Sequence, residues 1–276
     1  MKYGRVIITL ISILFSLTLY SQDLVILHTN DTHSNIEPVA SGKNKGLGGF
    51  QRRANYIQSV RDSVKNILLL DAGDYNQGTP YFTLFKGEAE VMLYNAMGYD
   101  AVCLGNHEFD NGEKQLAERL AKAKYPTVCS NYDFSGSPLK DIIKPYVIIE
   151  KGGKRIGILG LLLNLNGYVS ESARSGVKYL DVLKSANKTA RFLKNKKDCD
   201  IVIALTHLGY EHEEGSLSPS DTDLASNSTN IDIIVGGHTH TFLKSPVVVK
   251  NRAGKGVLVT QMGTAGVFVG RIDLYF

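Results

Sequence analysis

Five short stretches of this 276-residue chain place histidine, aspartate or asparagine directly after an apolar run. Leu24–Leu27 leads to Asp31 and His33, and Ile67–Leu70 leads to Asp71 and Asp74. Ala101–Leu104 stops at Gly105 and delivers Asn106, His107, Glu108 and Asp110. Ile201–Leu205 leads to His207, and Ile231–Val235 leads past Gly236 and Gly237 to His238 and His240. Five of the seven histidines sit in these stretches, leaving only His28 and His212 outside the pattern. Taken singly, each stretch is what a polar turn after a buried strand looks like. The recurrence is what points to chemistry.

Gathered in one place, these groups would be expensive to hold without a cation, because carboxylates repel and desolvated imidazoles need partners. A divalent ion removes both objections, and Asp, Asn and neutral His suit Zn, Mn, Fe or Co. About seven ligand groups exceed what one ion with an open position would take. Two ions ~3.5–4 Å apart, bridged by one carboxylate, match the count and give the arrangement that hydrolyses phosphoryl bonds. The residues alone leave open whether Asp71 or Asp74 is the ligand, and how His238 and His240 divide between the ions. Gly73, Gly105, Gly236 and Gly237 stand beside the ligands, where backbone and substrate must come close.

Such tips converge if their strands run roughly parallel, since ligands of open α/β sheets bind beyond the carboxyl ends of the strands. From Asp23 onward, short apolar runs alternate with longer amphipathic stretches, which suggests α/β or α+β layering. Helices are expected over 49–65, 86–97, 112–124 and 180–195, and a further strand over 126–129. Tyr146–Glu150 and Arg155–Leu163 flank Lys151-Gly152-Gly153-Lys154, a hairpin signal. Residues 213–230 read as a surface excursion with one helical turn at Asp223–Ala225, and 247–249, 256–260 and 267–276 read as strands. No repeat or linker interrupts the sequence after the N-terminal segment, so it is expected to form one domain.

Composition bounds the function classes. The apolar share is 43% and the charged share 21%, as in ordinary globular chains that bury a sizeable core. Lys2 and Arg5 precede the apolar run Val6–Tyr20, with Ser21 and Gln22 behind it: the pattern of a secretory signal peptide over 1–21, leaving 22–276 as the mature domain. The run is short of the roughly 20 residues a span needs, and no cysteine follows it, so no stable membrane anchor is expected. Cleavage removes two basic residues and takes the net charge from +4 to +2. So weak a balance gives no case for a nucleic-acid polymer as partner. Cys103, Cys129 and Cys199 adjoin apolar runs and read as small buried residues, although an oxidising compartment would permit one disulfide.

The motifs N-D-T-H, A-G-D, G-N-H-E-F-D, T-H-L-G and G-G-H-T-H, in this order, resemble those of the calcineurin-like metallophosphoesterases. More narrowly, the chain from about Asp23 to Phe276 resembles the catalytic domain of the secreted 5′-nucleotidase/UDP-sugar hydrolase/2′,3′-cyclic phosphodiesterase family. The resemblance implies a four-layer α/β/β/α sandwich around two mixed sheets. It implies two divalent ions, one on Asp31, His33 and His240, the other on Asn106, His207 and His238, with Asp74 bridging. His107 would be the catalytic donor to the phosphoryl or leaving-group oxygen and Asp110 its orienter, where the residues alone allow Asp110 to be a helix cap. Glu108 and Phe109 would be structural, and Arg52 and Arg53 surface or packing residues. The activity implied is hydrolysis of a small phosphate ester, a nucleotide being the expected one, by in-line attack of a hydroxide bridging the ions, in the periplasm or outside the cell. Full-length nucleotidases of the family carry a second, C-terminal substrate domain; a separate chain is expected to supply it here, the alternatives being action on other phosphate esters or a chain that is a fragment. Two other readings stand beside this one: a sulfur-compound hydrolase of the same branch, and a non-catalytic metal-binding subunit.

Overall fold

Continuous apolar runs dictate the architecture. Strands buried on both faces need cover above and below, and the helices supply it. In the computed structural model, residues 23–213, 216 and 218–276 are described; the signal-peptide expectation falls outside them. The first half of the chain contains β1 (Leu24–Thr29), α1 (Phe50–Ser63), β2 (Ile67–Asp71), α2 (Pro80–Phe85), α3 (Glu88–Met97), β3 (Ala101–Cys103), α4 (Gly112–Leu120) and β4 (Thr127–Val128). Next come β5 (Tyr132–Asp133), β6 (Tyr146–Lys151), β7 (Lys154–Leu162), β8 (Lys178–Tyr179), α5 (Val182–Lys196) and β9 (Ile201–His207). The chain closes with α6 (Asp221–Asn227), β10 (Ile233–Gly236), β11 (Val247–Lys250), β12 (Gly256–Thr260) and β13 (Gly270–Leu274).

A five-stranded sheet runs β13-β1-β2-β3-β4 and a six-stranded sheet runs β11-β12-β10-β9-β7-β6. β1 to β4 are mutually parallel and β13 returns antiparallel at the edge. In the larger sheet β7, β9, β10 and β12 are parallel, with β6 and β11 antiparallel at its edges. Side-chain alternation then assigns the layers. Leu24 and Ile26 pack with Leu68 and Leu70 against Ile158, Ile203 and Val235 of the other sheet. Val25, Leu27 and Leu69 face the opposite way, onto Ile57 and Val60 of α1 and Val91 and Tyr94 of α3. On the far side Leu159, Val202 and Ile234 pack against Ala186, Ala190 and Leu193 of α5. The result is the expected α/β/β/α sandwich with two mixed sheets.

Several boundaries differ from the sequence expectation. The helix expected over 86–97 begins at Glu88, and a further short helix, Pro80–Phe85, precedes it; Lys86 and Gly87, with left-handed φ values of 53° and 88°, separate the two. The helix from Gly112 ends at Leu120, and the last strand narrows to 270–274. The turn at Asp223 is a seven-residue helix, closed by a capping box in which Ser220 and Asp223 satisfy each other's backbone N–H. Cys103, Cys129 and Cys199 are buried and unpaired. Among the described residues, no helix is long and apolar enough to cross a membrane.

His28 lies on the inter-sheet face of β1, fully buried, with Nε2 3.4 Å from Thr260 Oγ1 of β12. Burial pushes its pKa down from 6.5 to about 4, so the folded state holds a neutral ring. Charging it costs stability that begins to be lost as pH falls below the unfolded value and is fully lost below about 4. The shift corresponds to ~3 kcal/mol. His28→Gln should therefore flatten the acid limb of the melting temperature between these two pH values, relative to wild type. An unchanged limb in paired melts would show that His28 does not set it.

Candidate metal centre

Parallel strands in both sheets bring their carboxyl ends to one edge of the sandwich, and there the loops after β1, β2, β3, β9 and β10 meet. The first two zip together through backbone bonds: Asp31 N donates to Gly73 O, His33 N to Asp74 O and Ser34 N to Tyr75 O, at 2.9–3.0 Å. Asp31, His33, Asp74, His238 and His240 all have positive φ, between 44° and 83°. Non-glycine residues in this region are uncommon and cost of order 1–3 kcal/mol each. Here they turn one side chain after another toward a common point. Gly105 has no side chain for the same reason: a Cβ there would stand 2.2 Å from Asp74 Oδ1.

Asp31, His33 and His240 form one group able to hold a metal, and Asp74, His207 and His238 another; His33, Asp74 and His107 form a third. Asp31 Oδ1 lies 3.5 Å from His240 Nε2, 3.8 Å from His33 Nε2 and 3.9 Å from His207 Nε2. The His33 and His240 Nε2 atoms are 3.0 Å apart. His207 Nδ1 donates to Ala72 O at 2.8 Å, which turns Nε2 to within 2.9 Å of Asp74 Oδ2. A carbonyl on one ring nitrogen is how a metal-ligating histidine is commonly oriented. Asn106 is buried, and its Oδ1 has no hydrogen-bond partner. An orphaned amide oxygen beside this group is what a ligand position requires. The donor set and this unsatisfied oxygen fit divalent ions.

The electrostatics agree. Burial opposes charge on His207, yet the Asp74 and Asp31 carboxylates outweigh it and push its pKa up to about 10. Burial likewise opposes the Asp74 carboxylate, but the surrounding imidazoles, His207 first, hold its pKa well below the usual range. The place therefore favours positive charge, whether from a proton or a metal ion. At His238, burial and the neighbouring His207 push the pKa down to about 4, and burial lowers that of His33. Both rings are thus available as neutral donors.

His107 stands beside these groups. Its backbone N donates to Asp74 Oδ1 at 2.9 Å, and its Nδ1 lies 2.8 Å from Asp110 Oδ2. Burial pulls the His107 pKa down, but the Asp110 hydrogen bond and the Asp74 charge outweigh it and hold the ring above its ordinary value. α4 has Asn111 as its N-cap, with no side-chain cap bond, so the Asp110 carboxylate serves His107 rather than the helix end. Glu108 is fully buried and accepts from four backbone N–H groups, those of Asp74, Tyr75, Asn76 and Gly105. It fixes the Asp74 loop to the Asn106 loop. Asp71 accepts from Thr29 Oγ1, Tyr94 OH and Gly73 N, apart from all three metal-holding groups. Arg52 reaches Gly46 O on the surface, while Arg53 is buried.

Four contributors carry no expected role in the sequence: Gln261, Asn30, Gln77 and Tyr168. A sixth tip, after β12, straps the others. Gln261 donates to Gly237 O and accepts from Thr239 Oγ1 and Thr241 N, thereby bracketing His238 and His240. Asn30 donates to Asp31 Oδ2 at 2.6 Å and to Gly263 O at 2.8 Å, and accepts from Met262 N at 2.8 Å. Val259-Thr260-Gln261 has the same outline as the other tips, an apolar run ending in a polar residue, but offers no titratable ligand to draw notice. Finally, Gln77 and Tyr168 line the cleft of about 380 Å³ with His33, Asp74, Asn106, His107, His238 and His240.

The profile of the calcineurin-like phosphoesterases matches residues 24–242. The chain belongs to this family. It is 37% identical over 283 residues to a snake venom 5′-nucleotidase of Gloydius brevicauda, which aligns with 93% of this chain and 46% of that protein. The Homo sapiens 5′-nucleotidase is 33% identical over 277 residues, with 92% of this chain and 46% of that protein covered. A solved 5′-nucleotidase precursor from Thermus thermophilus superposes with a TM-score of 0.80 at 37% identity, over 90% of this chain and 50% of that one. The chain thus spans about half the length of the relatives it matches.

Loss of the Gln261 strap should loosen the loop carrying His238 and His240 without removing a ligand. Gln261→Leu is expected to weaken divalent-metal affinity by about 10- to 100-fold. Metal titration by calorimetry against wild type measures this, and an unchanged affinity would contradict it.

Proposed function

We propose that this chain is the catalytic domain of a secreted phosphohydrolase dependent on two divalent ions and acting on nucleotides in the manner of the 5′-nucleotidases. The observation that carries the reading is the convergence of Asp31, His33, Asp74, His207, His238 and His240 around one cleft, with the His107–Asp110 pair at its side. Asp31, His33 and His240 would hold one ion, Asn106, His207 and His238 the other, and Asp74 both. Bound there, the ions would acidify water and neutralise phosphoryl oxygens.

The chain's own residues supply the rest. Asp74 is kept anionic and is aimed by the His107 N–H, while Glu108 fixes its backbone. His107 is biased toward its protonated form, so it can donate to a phosphoryl oxygen as charge builds there, or hand its proton to the leaving oxygen. Asp110 holds Nδ1 and thereby presents Nε2 to the cleft. The presence of this pair favours catalysis over a purely metal-binding subunit, because a binding site alone has no use for it.

The basic-apolar pattern of residues 1–21 supports export to the periplasm or beyond, with 22–276 as the mature domain. That the chain aligns with 46% of its venom relative supports a contribution to substrate recognition from a further domain.

The test is turnover by the purified chain with Mn²⁺ or Zn²⁺ on AMP, UDP-glucose, 2′,3′-cyclic AMP and p-nitrophenyl phosphate. Phosphate release is expected, and His107→Ala should lower kcat by about 10²–10⁴-fold. Asp110→Asn should lower it less, with little change in KM. Bound metal without turnover, and no effect of His107→Ala, would favour the non-catalytic subunit. Strong and selective AMP hydrolysis by this chain alone would remove the need for a partner.

A further inference from the structure

Asp71 ends β2, fully buried, and takes no part in the proposed chemistry. Its Oδ1 accepts from Gly73 N at 2.9 Å, and its Oδ2 accepts from Thr29 Oγ1 at 2.5 Å and from Tyr94 OH at 2.9 Å. A hydroxyl has one proton to give. That of Tyr94 goes to Asp71, so the Tyr94 oxygen accepts from Thr32 Oγ1, 3.0 Å away. That of Thr29 also goes to Asp71, so Thr29 accepts from Tyr99 OH at 2.6 Å. The Tyr94 and Tyr99 rings stack with centroids 4.2 Å apart and 13° between their planes, which holds the two phenols side by side. Every hydroxyl proton of the network thus points, directly or through one neighbour, at a single carboxylate. All five residues are buried, and the two tyrosines belong to the layer between the smaller sheet and α1 and α3. Burial pushes the Asp71 pKa up to about 7, while the Thr29, Gly73 and Tyr94 bonds and the Arg53 charge oppose the rise.

The two ends of this network lie beside metal-ligand candidates. Thr32 stands between Asp31 and His33, and Gly73 immediately precedes Asp74. We propose that Asp71 is a positioning residue of the metal centre: by gathering the Gly73 N–H and, through Tyr94, the Thr32 hydroxyl, its carboxylate sets the loop of Asp31 and His33 against the loop of Asp74. The inference rests on the metal-dependent reading of this site. A carboxylate in so dry a layer is tolerated only while its donors stay aimed at it, and hydrogen bonds weaken steeply off line. Displacing either loop would leave a buried polar group unpaired, which costs more than the bond itself contributes. Left-handed backbone at Asp31, His33 and Asp74 persists only where the surroundings over-determine it. Backbone bonds between the two loops fix them along the chain, and the Asp71 network fixes them from the helix side.

The experiment compares wild type with Asp71→Asn, Tyr94→Phe, Thr32→Val and Thr32→Ser in the full chain at slightly alkaline pH. Mn²⁺ affinity is measured by calorimetry, and amide hydrogen exchange is followed in chelator. Asp71→Asn should weaken Mn²⁺ binding by about 10- to 100-fold. It should also speed exchange at the His33 and Ser34 amides, which donate to Asp74 O and Tyr75 O across the two loops. Tyr94→Phe and Thr32→Val should each weaken binding by a smaller factor. Combined, they should cost no more than Tyr94→Phe alone, because both remove the same bond. Thr32→Ser, which keeps the hydroxyl, should match wild type. A lower melting temperature with unchanged Mn²⁺ affinity in Asp71→Asn would make Asp71 a packing residue and overturn the proposal, as would a Thr32→Ser chain as weak as Thr32→Val. Should Asp71→Asn fail to fold, the Thr32 and Tyr94 variants decide by the same criteria. Should wild type bind no Mn²⁺, the metal-dependent reading fails, and exchange at His33 and Ser34 still decides: acceleration in Asp71→Asn upholds the positioning role, and unchanged rates refute it.

Discussion

Asp74 sits where every loop of the site must agree. One carboxylate oxygen accepts the His107 N–H at 2.9 Å, and the other lies 2.9 Å from His207 Nε2 on a strand of the opposite sheet. Its own backbone N–H is held by Glu108, and its carbonyl accepts from His33 N. Two sheets are thus joined at their edge by a buried anion whose charge is balanced only by imidazoles and whatever cation they share. Left-handed backbone at Asp31, His33, Asp74, His238 and His240 adds strain to the electrostatic cost. Such a site persists because the parallel strands beneath it, buried on both faces, are rigid enough to hold it.

The supporting groups distribute that cost. Glu108 ties two loops of the smaller sheet together through four N–H groups, and its own pKa is pushed up to about 7 by burial and by the nearby Asp74 charge. Gln261 and Asn30 do for the His238–His240 loop and for Asp31 what Glu108 does for Asp74. None of the three lies in a metal-holding group; Glu108 fixes the Asp74 backbone, Asn30 the Asp31 carboxylate, and Gln261 the chain neighbours of His238 and His240. Precision at the cleft therefore depends on buried polar residues as much as on the residues that face it.

Much of this was legible in the sequence, for identifiable reasons. Histidine and aspartate after apolar runs are rare enough to mark the tips, and strand alternation located most elements. The two-sheet layering was available only from the motif resemblance, because periodicity does not say which strands share a sheet. Spacing could not separate Asp71 from Asp74; in the fold, Asp71 turns to Thr29 and Tyr94 on the far side of the strand end. Gln261 escaped notice because an uncharged amide after a strand looks like any turn residue. Tyr168 carries no signal in the sequence because only the folded turn brings it to the cleft. The short helix α2 lies ahead of the expected range 86–97, set apart from α3 by the left-handed Lys86 and Gly87.

The central claim is that this cluster is completed by divalent cations. The most direct measurement is the metal content per chain, read together with the melting temperature before and after chelation, in wild type and Asp74→Ala. Two ions per wild-type chain are predicted, with a stabilisation of ~3 kcal/mol for each ion when metal is present at about 100 times its Kd. In Asp74→Ala the stoichiometry should fall and most of the shift should vanish. A folded wild-type chain that binds no divalent ion, and melts at the same temperature with Mn²⁺ as with chelator, would contradict the account.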